Sequence, residues 1–208
     1  MRDTRYKKGF TLVELLVALM VTSIVLTAVA TLAFALGSAY DTSDDTSQKQ
    51  AQVRFATLRI TELIRHCKLI CSATGTDLAI WRADDNDDGH VNISELVYIE
   101  WGSSGEHLQL CGFASSNNSA INLDSIKAFS TDWWLAYSSD VSYTRLIPQC
   151  SDVQFGFDVA PPQSRFVSIS FDLDENGIVH RYQIGAGLRS WAGNLLSSDG
   201  TSIVDDDD

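Results

Sequence analysis

The longest hydrophobic pattern in the chain is an uninterrupted apolar run near the start. From Leu15 to Leu36 there are 22 residues without a charged side chain or a proline. With a helical rise of roughly 1.5 Å per residue, this run spans about 33 Å, which is enough to cross the hydrocarbon core of a bilayer. The apolar part of an ordinary secretory signal is about half that length. The pattern therefore predicts a membrane-spanning helix over residues 10–36.

An amphipathic pattern follows the apolar run. Residues 41–50 are polar, which we interpret as the exit from the membrane, and apolar side chains then return at steps of three and four residues. These apolar positions are Val53, Ala56, Ile60, Ile64, Cys67 and Cys71. We expect residues 37–71 to continue the helix, with its apolar stripe lying on a sheet.

Beyond Cys71 the pattern becomes typical of strands separated by turns. The segments that predict strands are 78–81, 96–101, 108–113, 153–159, 167–173 and 178–184. Asn176-Gly177 predicts a tight hairpin turn, and Gly102-Ser103-Ser104-Gly105 predicts a second turn. The fold class is therefore α+β: a long N-terminal helix, with a transmembrane half and an amphipathic half, packed on an antiparallel β-sheet head. We assign the head to residues 72–204 and an acidic tail to residues 205–208.

The charge is distributed unevenly along the chain. The net charge is −12, yet the first nine residues carry Arg2, Arg5, Lys7 and Lys8 against one acid, Asp3. The remainder holds 11 basic and 26 acidic side chains. A polyanionic body repels the phosphates of nucleic acid, so we expect no nucleic-acid partner. The basic start is expected to stay in the cytoplasm, which places the C-terminal body on the other side of the membrane.

Glu14 does not fit a simple membrane anchor, because a lone carboxylate at membrane depth costs several kcal/mol and usually has a function. It is the fifth residue when Phe10 is counted as the first. The stretch Lys7-Lys8-Gly9-Phe10-Thr11-Leu12-Val13-Glu14 resembles the prepilin peptidase site of type IV pilins and secretion pseudopilins. That site consists of a basic leader, a glycine, an apolar residue and a glutamate at the fifth mature position.

The resemblance implies that residues 1–9 are a leader peptide and that prepilin peptidase cleaves between Gly9 and Phe10 and methylates the new Phe10 amine. It also implies that Glu14 pairs with the Phe10 amine of a neighbouring subunit and so sets the register of a filament. The partners would be other pilin or pseudopilin subunits, and the chain would be a single-pass inner-membrane protein with its head in the periplasm. The segment Ala51–Arg65 further resembles minor pilins of the W type and pseudopilins of the J type. Two alternatives are a signal anchor with an accidental glutamate and signal-peptidase cleavage near residues 28–30.

Residues 84–95 match the twelve-residue EF-hand calcium loop. The predicted calcium ligands are Asp84, Asn86, Asp88, the carbonyl of His90, Asn92 and Glu95. The flanking segments predict strands instead of the usual helix pair, so we expect a hairpin loop that is stabilised by a bound calcium ion. A solvated acidic turn is the alternative.

The chain has four cysteines, Cys67, Cys71, Cys111 and Cys150. In an exported head an even number suggests disulfides, and four cysteines allow three pairings that the sequence cannot rank. Free buried thiols acting as small apolar side chains are the alternative.

Sequence motifs for catalysis are missing: there is no nucleophile elbow, phosphate-binding glycine loop or zinc-protease helix motif. We therefore expect a structural protein and not an enzyme. The favoured interpretation is a minor pilin or pseudopilin of a type IV pilus or a type II secretion pseudopilus. The alternative is a membrane-anchored or pilus-tip adhesion module. For Trp133 and Trp134, core packing is a simpler interpretation than an adhesive surface.

Overall fold

The computed structural model describes residues 9–102, 106–114, 118–189, 195–198 and 202–204, without the side chains of residues 41 and 42. The chain divides into two compact units, residues 1–47 and 48–208. The described residues form one long helix, α1 (Leu12–His66), and eight strands. The strands are β1 (Leu69–Ala73), β2 (Asp77–Trp81), β3 (Leu96–Trp101), β4 (Leu108–Phe113), β5 (Val141–Ile147), β6 (Ser151–Phe157), β7 (Phe166–Glu175) and β8 (Ile178–Gly187).

In the first unit, the described residues consist almost entirely of the beginning of α1. The helix starts after Thr11, whose hydroxyl oxygen accepts a hydrogen bond of 3.3 Å from the Glu14 N–H. Four hydroxyl side chains within the apolar run donate to carbonyl groups of the preceding turn; they belong to Thr22, Ser23, Thr27 and Thr31. The polar groups of this apolar segment are thus satisfied within the helix, as an apolar environment requires.

The second half of α1 has the apolar stripe predicted from the sequence. Ala56, Ile60 and Ile64 are fully buried against the sheets. The predicted end of the helix at Cys71 is wrong, because α1 ends at His66 and Cys71 lies in β1. The reason is a tertiary contact: the Lys68 N–H donates to the Trp81 carbonyl at 2.9 Å, and this bond starts the pairing of β1 with β2.

The first five strands form an antiparallel sheet in the order β1-β2-β3-β4-β5. The predicted hairpin of residues 96–101 and 108–113 is confirmed, since β3 and β4 pair from Val97 opposite Gly112 to Trp101 opposite Leu108. Residues 103–105 of its predicted turn lie outside the described residues.

The last three strands form a second antiparallel sheet in the order β6-β7-β8. The hairpin predicted at Asn176-Gly177 is confirmed, because Glu175 pairs with Ile178 on either side of these two residues. Both turn residues are left-handed, with φ of 55° for Asn176 and 81° for Gly177. A two-residue turn of this kind requires positive φ at both central positions, which explains why asparagine and glycine stand there.

The first sheet is apolar on both faces, and each face has its own core. The first core joins α1 to both sheets and includes Ile60, Ile80 and Phe171. The second core lies on the opposite face of the first sheet, where the segment 118–137 covers Trp81 and Tyr98. This segment contains 3-10 helices at Leu123–Ser125, Phe129–Thr131 and Trp133–Ala136.

Aromatic side chains fill the second core. Phe129 stacks on Trp134 with ring centroids 5.2 Å apart, and Trp133 donates to the Tyr98 hydroxyl at 3.1 Å. Trp134 is buried and Trp133 is half-buried. The tryptophan pair therefore serves core packing.

All four cysteines are buried and are free thiols in the structure. Cys67 and Cys150 lie in the first core, and Cys71 and Cys111 lie in the second. Of the two alternatives that the sequence left open, the structure shows buried thiols used as small apolar side chains.

Candidate functional site

The residues around the predicted cleavage site are exposed in the described part of the chain. Gly9 is exposed, and Phe10 is 78% exposed. A Cβ atom added at Gly9 would meet no described atom within 4 Å, so packing within the described part of the chain gives no reason for a glycine at this position. The predicted basic leader residues, Arg2, Arg5, Lys7 and Lys8, lie outside the described residues.

Glu14 lies in the first turn of α1 and has a local partner. The Thr11 hydroxyl donates to Glu14 Oε2 at 3.4 Å, while the Glu14 N–H donates back to Thr11 Oγ1. The Thr-x-x-Glu spacing of a helix start is the sequence signal for this contact. A carboxylate in the first turn is also favoured by the positive end of the helix dipole. The exposed Glu14 side chain is thus compatible with the helix and directed away from any core.

The surface of α1 in the first unit is strongly apolar. Its large apolar side chains from Leu12 to Leu36 are all more than half exposed. The best 18-residue window of α1 has a mean hydropathy of 2.5, and none of it is buried. By length and composition this helix is able to cross a membrane.

The loop 84–95 connects β2 to β3, and its side-chain oxygens face its own backbone. Asp84 accepts hydrogen bonds from the N–H groups of Asp88 and Gly89, both at 3.2 Å. Asn86 Oδ1 accepts from the Asp88 N–H at 3.3 Å, and Asp88 Oδ1 accepts from the His90 N–H at 2.8 Å. The structure therefore brings together the first three predicted ligands, Asp84, Asn86 and Asp88. Gly89, with φ of 71°, makes the turn between them and the rest of the loop.

Asn92 is fully buried, and its amide is directed into the loop. Its Nδ2 donates to Asp88 Oδ2 at 2.9 Å and to Asn86 Oδ1 at 3.4 Å. The bond from Asn92 is the largest cause that lowers the pKa of Asp88 below its ordinary value. Asn92 Oδ1 is buried and has no hydrogen-bond partner among the described residues. An unsatisfied buried oxygen costs about 1–3 kcal/mol, so this atom needs an explanation.

Glu95, the last predicted ligand, is buried and turned toward the protein. Its Oε2 accepts from Trp81 Nε1 at 2.9 Å and from the Asn92 N–H at 3.2 Å, and its Oε1 accepts from the Asp85 N–H at 2.8 Å. Among the described residues, no group of three His, Cys, Asp or Glu side chains is arranged to hold a metal ion. The loop pattern gave no signal for Trp81, because this residue precedes the loop and reaches Glu95 only through the fold.

The end of the loop pairs with the segment that covers the second core. Asn92 forms an isolated antiparallel bridge with Ala120. The Ile93 N–H donates to the Ser119 carbonyl at 3.1 Å, and the Ile121 N–H donates to the Val91 carbonyl at 2.8 Å. The loop and the cover segment 118–137 are thus joined by backbone hydrogen bonds.

A polar cluster around Cys111 in the second core does not have the chemistry of an activated nucleophile. Cys111 Sγ donates to Glu100 Oε2 at 3.3 Å, and Gln109 donates to the same oxygen at 3.0 Å. Burial, followed by the charge of Glu100, raises the pKa of Cys111. Because the thiolate is the reactive form, this arrangement disfavours reaction at Cys111.

Comparison with protein families finds a match near the start of the chain. Residues 4–30 match the model of the prokaryotic N-terminal methylation motif. Comparison with curated proteins and with solved structures finds no match to the chain. The matched segment contains Gly9, Phe10, Glu14 and the first part of the apolar run. Residues 4–30 therefore carry a type IV pilin-like prepilin signal.

Proposed function

We propose that this chain is a minor pilin or pseudopilin, a structural subunit of a type IV pilus or of a type II secretion pseudopilus. The observation that carries the proposal is the methylation motif at residues 4–30, which continues into an apolar helix. Support also comes from the α+β head, in which one end of α1 packs on antiparallel sheets. The predicted calcium loop, residues 84–95, is compatible with this role but is not required by it.

The first step of this function is processing by prepilin peptidase between Gly9 and Phe10. Among the described residues Gly9 has open space around its Cα, and the lack of a side chain there would let another protein approach the backbone closely. Cleavage would leave the Phe10 amine as the new terminus, and the same peptidase would methylate it. Before assembly the helix would be held in the inner membrane, with the head in the periplasm.

The second step is assembly, in which neighbouring helices cover the apolar surface of α1. In a filament the Phe10 amine of one subunit would be removed from water, and Glu14 of a neighbour would supply its counter-charge. A buried ion pair adds little net stability, but loss of one partner costs about 3–5 kcal/mol. Glu14 would therefore set the axial register between subunits.

The adhesion-module alternative has less support from the described residues. The pair Trp133-Trp134, the most prominent candidate for an adhesive surface, packs in the second core. We therefore prefer the structural role.

Mass spectrometry of the mature N-terminus tests the processing step. The chain would be produced with a prepilin peptidase and purified from membranes. We expect loss of residues 1–9 and a methyl group on Phe10. Gly9→Val should block cleavage, whereas Gly75→Val, at another position with open space around it, should leave cleavage intact. A chain that keeps residues 1–9, or that is cut near residues 28–30, would refute the proposal.

A matched pair of substitutions in α1 tests the assembly step. Glu14→Ala should abolish recovery of the chain in sheared filaments while cleavage remains normal. Glu62→Ala removes the same charge from an exposed position of the same helix and should not affect assembly. If both variants assemble like the parent chain, Glu14 does not set the register.

A further inference from the structure

We propose that the loop 84–95 binds one calcium ion through side-chain oxygens of Asp84, Asn86, Asp88 and Asn92 and the carbonyl of His90. Two independent observations support the site: the EF-hand spacing of these residues and the buried, unpartnered oxygen of Asn92. The site does not depend on filament assembly, so its test is separate from that of the proposed function.

The second observation is that Asn92 Oδ1 is buried without a hydrogen-bond partner among the described residues. A half-turn of the side-chain amide exchanges Oδ1 with Nδ2, and it would point Oδ1 toward Asp88 Oδ2 and Asn86 Oδ1. Three oxygens that face one another repel unless a cation lies between them. Asn92 stands at the ninth position of the loop, where the EF-hand pattern also takes a ligand. A calcium ion between these oxygens would give Asn92 Oδ1 the partner that it lacks among the described residues, in exchange for the two hydrogen bonds that Nδ2 donates to Asp88 and Asn86.

The local charge also favours a cation. The loop carries acidic side chains at Asp84, Asp85, Asp87 and Asp88 within five residues. Two cationic groups oppose them: Lys68 Nζ lies 3.1 Å from Asp84 Oδ2, and Arg82 pairs with Asp85. The remaining negative charge and the oxygen-only ligand set suit a hard divalent ion.

Calcium fits this loop better than magnesium does. Calcium accepts six to eight oxygens in flexible geometry, whereas magnesium requires a near-ideal octahedron. Because Glu95 is engaged by Trp81 and Asp85, water would complete the coordination shell instead of a bidentate carboxylate. We expect weak binding, with a Kd on the order of 0.1–1 mM, as in extracellular calcium modules.

Calcium at this site would also stabilise segment 118–137, which covers the second core. The ligand Asn92 forms the bridge to Ala120, and the flanking N–H groups of Ile93 and Ile121 bond across the same bridge. A cation that fixes Asn92 would therefore slow the opening of the bridge and of the start of segment 118–137.

Calorimetric titration of the full chain in detergent with calcium chloride and with magnesium chloride tests the site. We expect one saturable calcium site and at least tenfold weaker magnesium binding. At calcium about a hundredfold above Kd, the melting temperature should rise by about 5–10 °C over that in excess chelator. A chain without saturable calcium binding, or with equal responses to both ions, overturns the proposal.

Two substitutions in the same loop separate a specific site from general charge screening. Asp88→Asn removes a ligand charge and should weaken calcium binding at least tenfold. Asp87→Asn removes the same charge from a non-ligand position, where φ of 54° is tolerated by asparagine, and should leave binding within about twofold. Equal loss of binding in the two variants would show screening only and would reject the site.

Hydrogen exchange gives a readout of the coupling to the cover segment. If opening of the bridge releases the ion, calcium should slow exchange of the Ile93 and Ile121 amides. At a free calcium concentration a hundredfold above Kd, the exchange rates should fall by about a hundredfold. The exchange of amides in the β7–β8 hairpin should not change. Equal slowing in both regions, or no slowing at Ile93 and Ile121, contradicts the coupling.

Discussion

Trp81 Nε1 donates a hydrogen bond of 2.9 Å to Glu95 Oε2, and both side chains are buried. This bond joins β2 to the last residue of the loop 84–95. Two backbone N–H groups, from Asp85 and Asn92, complete the donors around the carboxylate. The buried carboxylate is thereby satisfied by hydrogen bonds, and this explains how a glutamate is accommodated beside the second core.

Trp81→Phe keeps an aromatic ring but removes one donor to Glu95. We expect the free energy of unfolding to fall by about 1–3 kcal/mol, because a buried charged acceptor loses a hydrogen bond. Trp101→Phe is the control, since the buried Trp101 Nε1 has no hydrogen-bond partner among the described residues. Urea unfolding of the two variants measures the difference. A loss as large for Trp101→Phe as for Trp81→Phe would mean that the bond to Glu95 does not account for the effect.

Ile60→Ala should destabilise the head far more than Leu58→Ala. Ile60 is fully buried in the first core, whereas Leu58 is 66% exposed on the same helix. Truncation of a buried isoleucine costs about 2–5 kcal/mol through lost contacts and a cavity. The exposed position should change the free energy of unfolding by no more than about 0.5 kcal/mol. Similar losses in thermal unfolding would contradict the packing of α1 on the sheets.

Asp158 should make stability depend on pH in the acid range. A hydrogen bond from Ser164, followed by backbone N–H groups of Arg165, Val159 and Phe166, lowers the pKa of Asp158 from 3.8 to about 2. The folded state therefore binds this proton less tightly than the unfolded state does. The stabilisation is present above about pH 4 and is lost as the pH falls toward 2.

Urea unfolding of the parent chain and of Asp158→Asn at several pH values checks this contribution. The parent should be more stable at pH 6, and the difference should shrink between pH 4 and pH 2. Ser164→Ala should move the pKa of Asp158 back toward its ordinary value in an NMR titration. A pH-independent difference would show that the charge of Asp158 is not responsible.

Gly177→Ala should reduce stability more than Gly75→Ala, although a Cβ atom would meet no other described atom within 4 Å at either position. Only Gly177 has positive φ, at 81°. An alanine in the left-handed region costs roughly 1–2 kcal/mol, so Gly177→Ala should destabilise the β7–β8 hairpin by about that amount. Thermal unfolding compares the two variants. Equal melting temperatures would contradict the turn geometry.

The four cysteines should be alkylated only when the protein unfolds. Burial raises the pKa of Cys67 to about 12 and that of Cys150 to about 11, so few thiolates form at neutral pH. Without reductant, iodoacetamide should modify four thiols in denaturant and very few in the folded chain. Two modified thiols, or none, after denaturation would reveal disulfides.

The features that were correctly predicted from the sequence are local. The apolar run from Leu15 to Leu36, the stripe through Ile60 and Ile64, and the Asn176-Gly177 turn each depend on residues close together in the chain. Periodicity reports such features directly, because the side-chain direction of a helix or a strand repeats over a few residues. The prepilin motif is also a continuous segment, so it was readable before any contact was known.

The long helix, six of the eight described strands and the motifs follow from local sequence patterns, whereas long-range contacts set where the helix ends, form β1 and β5, and orient buried polar groups. Cys71 fits both a helical stripe and a strand, and the pairing of β1 with β2 placed it in a strand. Segment 118–137 has no period, because its 3-10 turns are arranged by burying Phe129 and Trp134. Glu95 matched a metal ligand in the loop pattern, yet Trp81 draws its carboxylate toward the core. In each case the deciding contact joins residues distant in sequence or in different elements, and no local pattern records it.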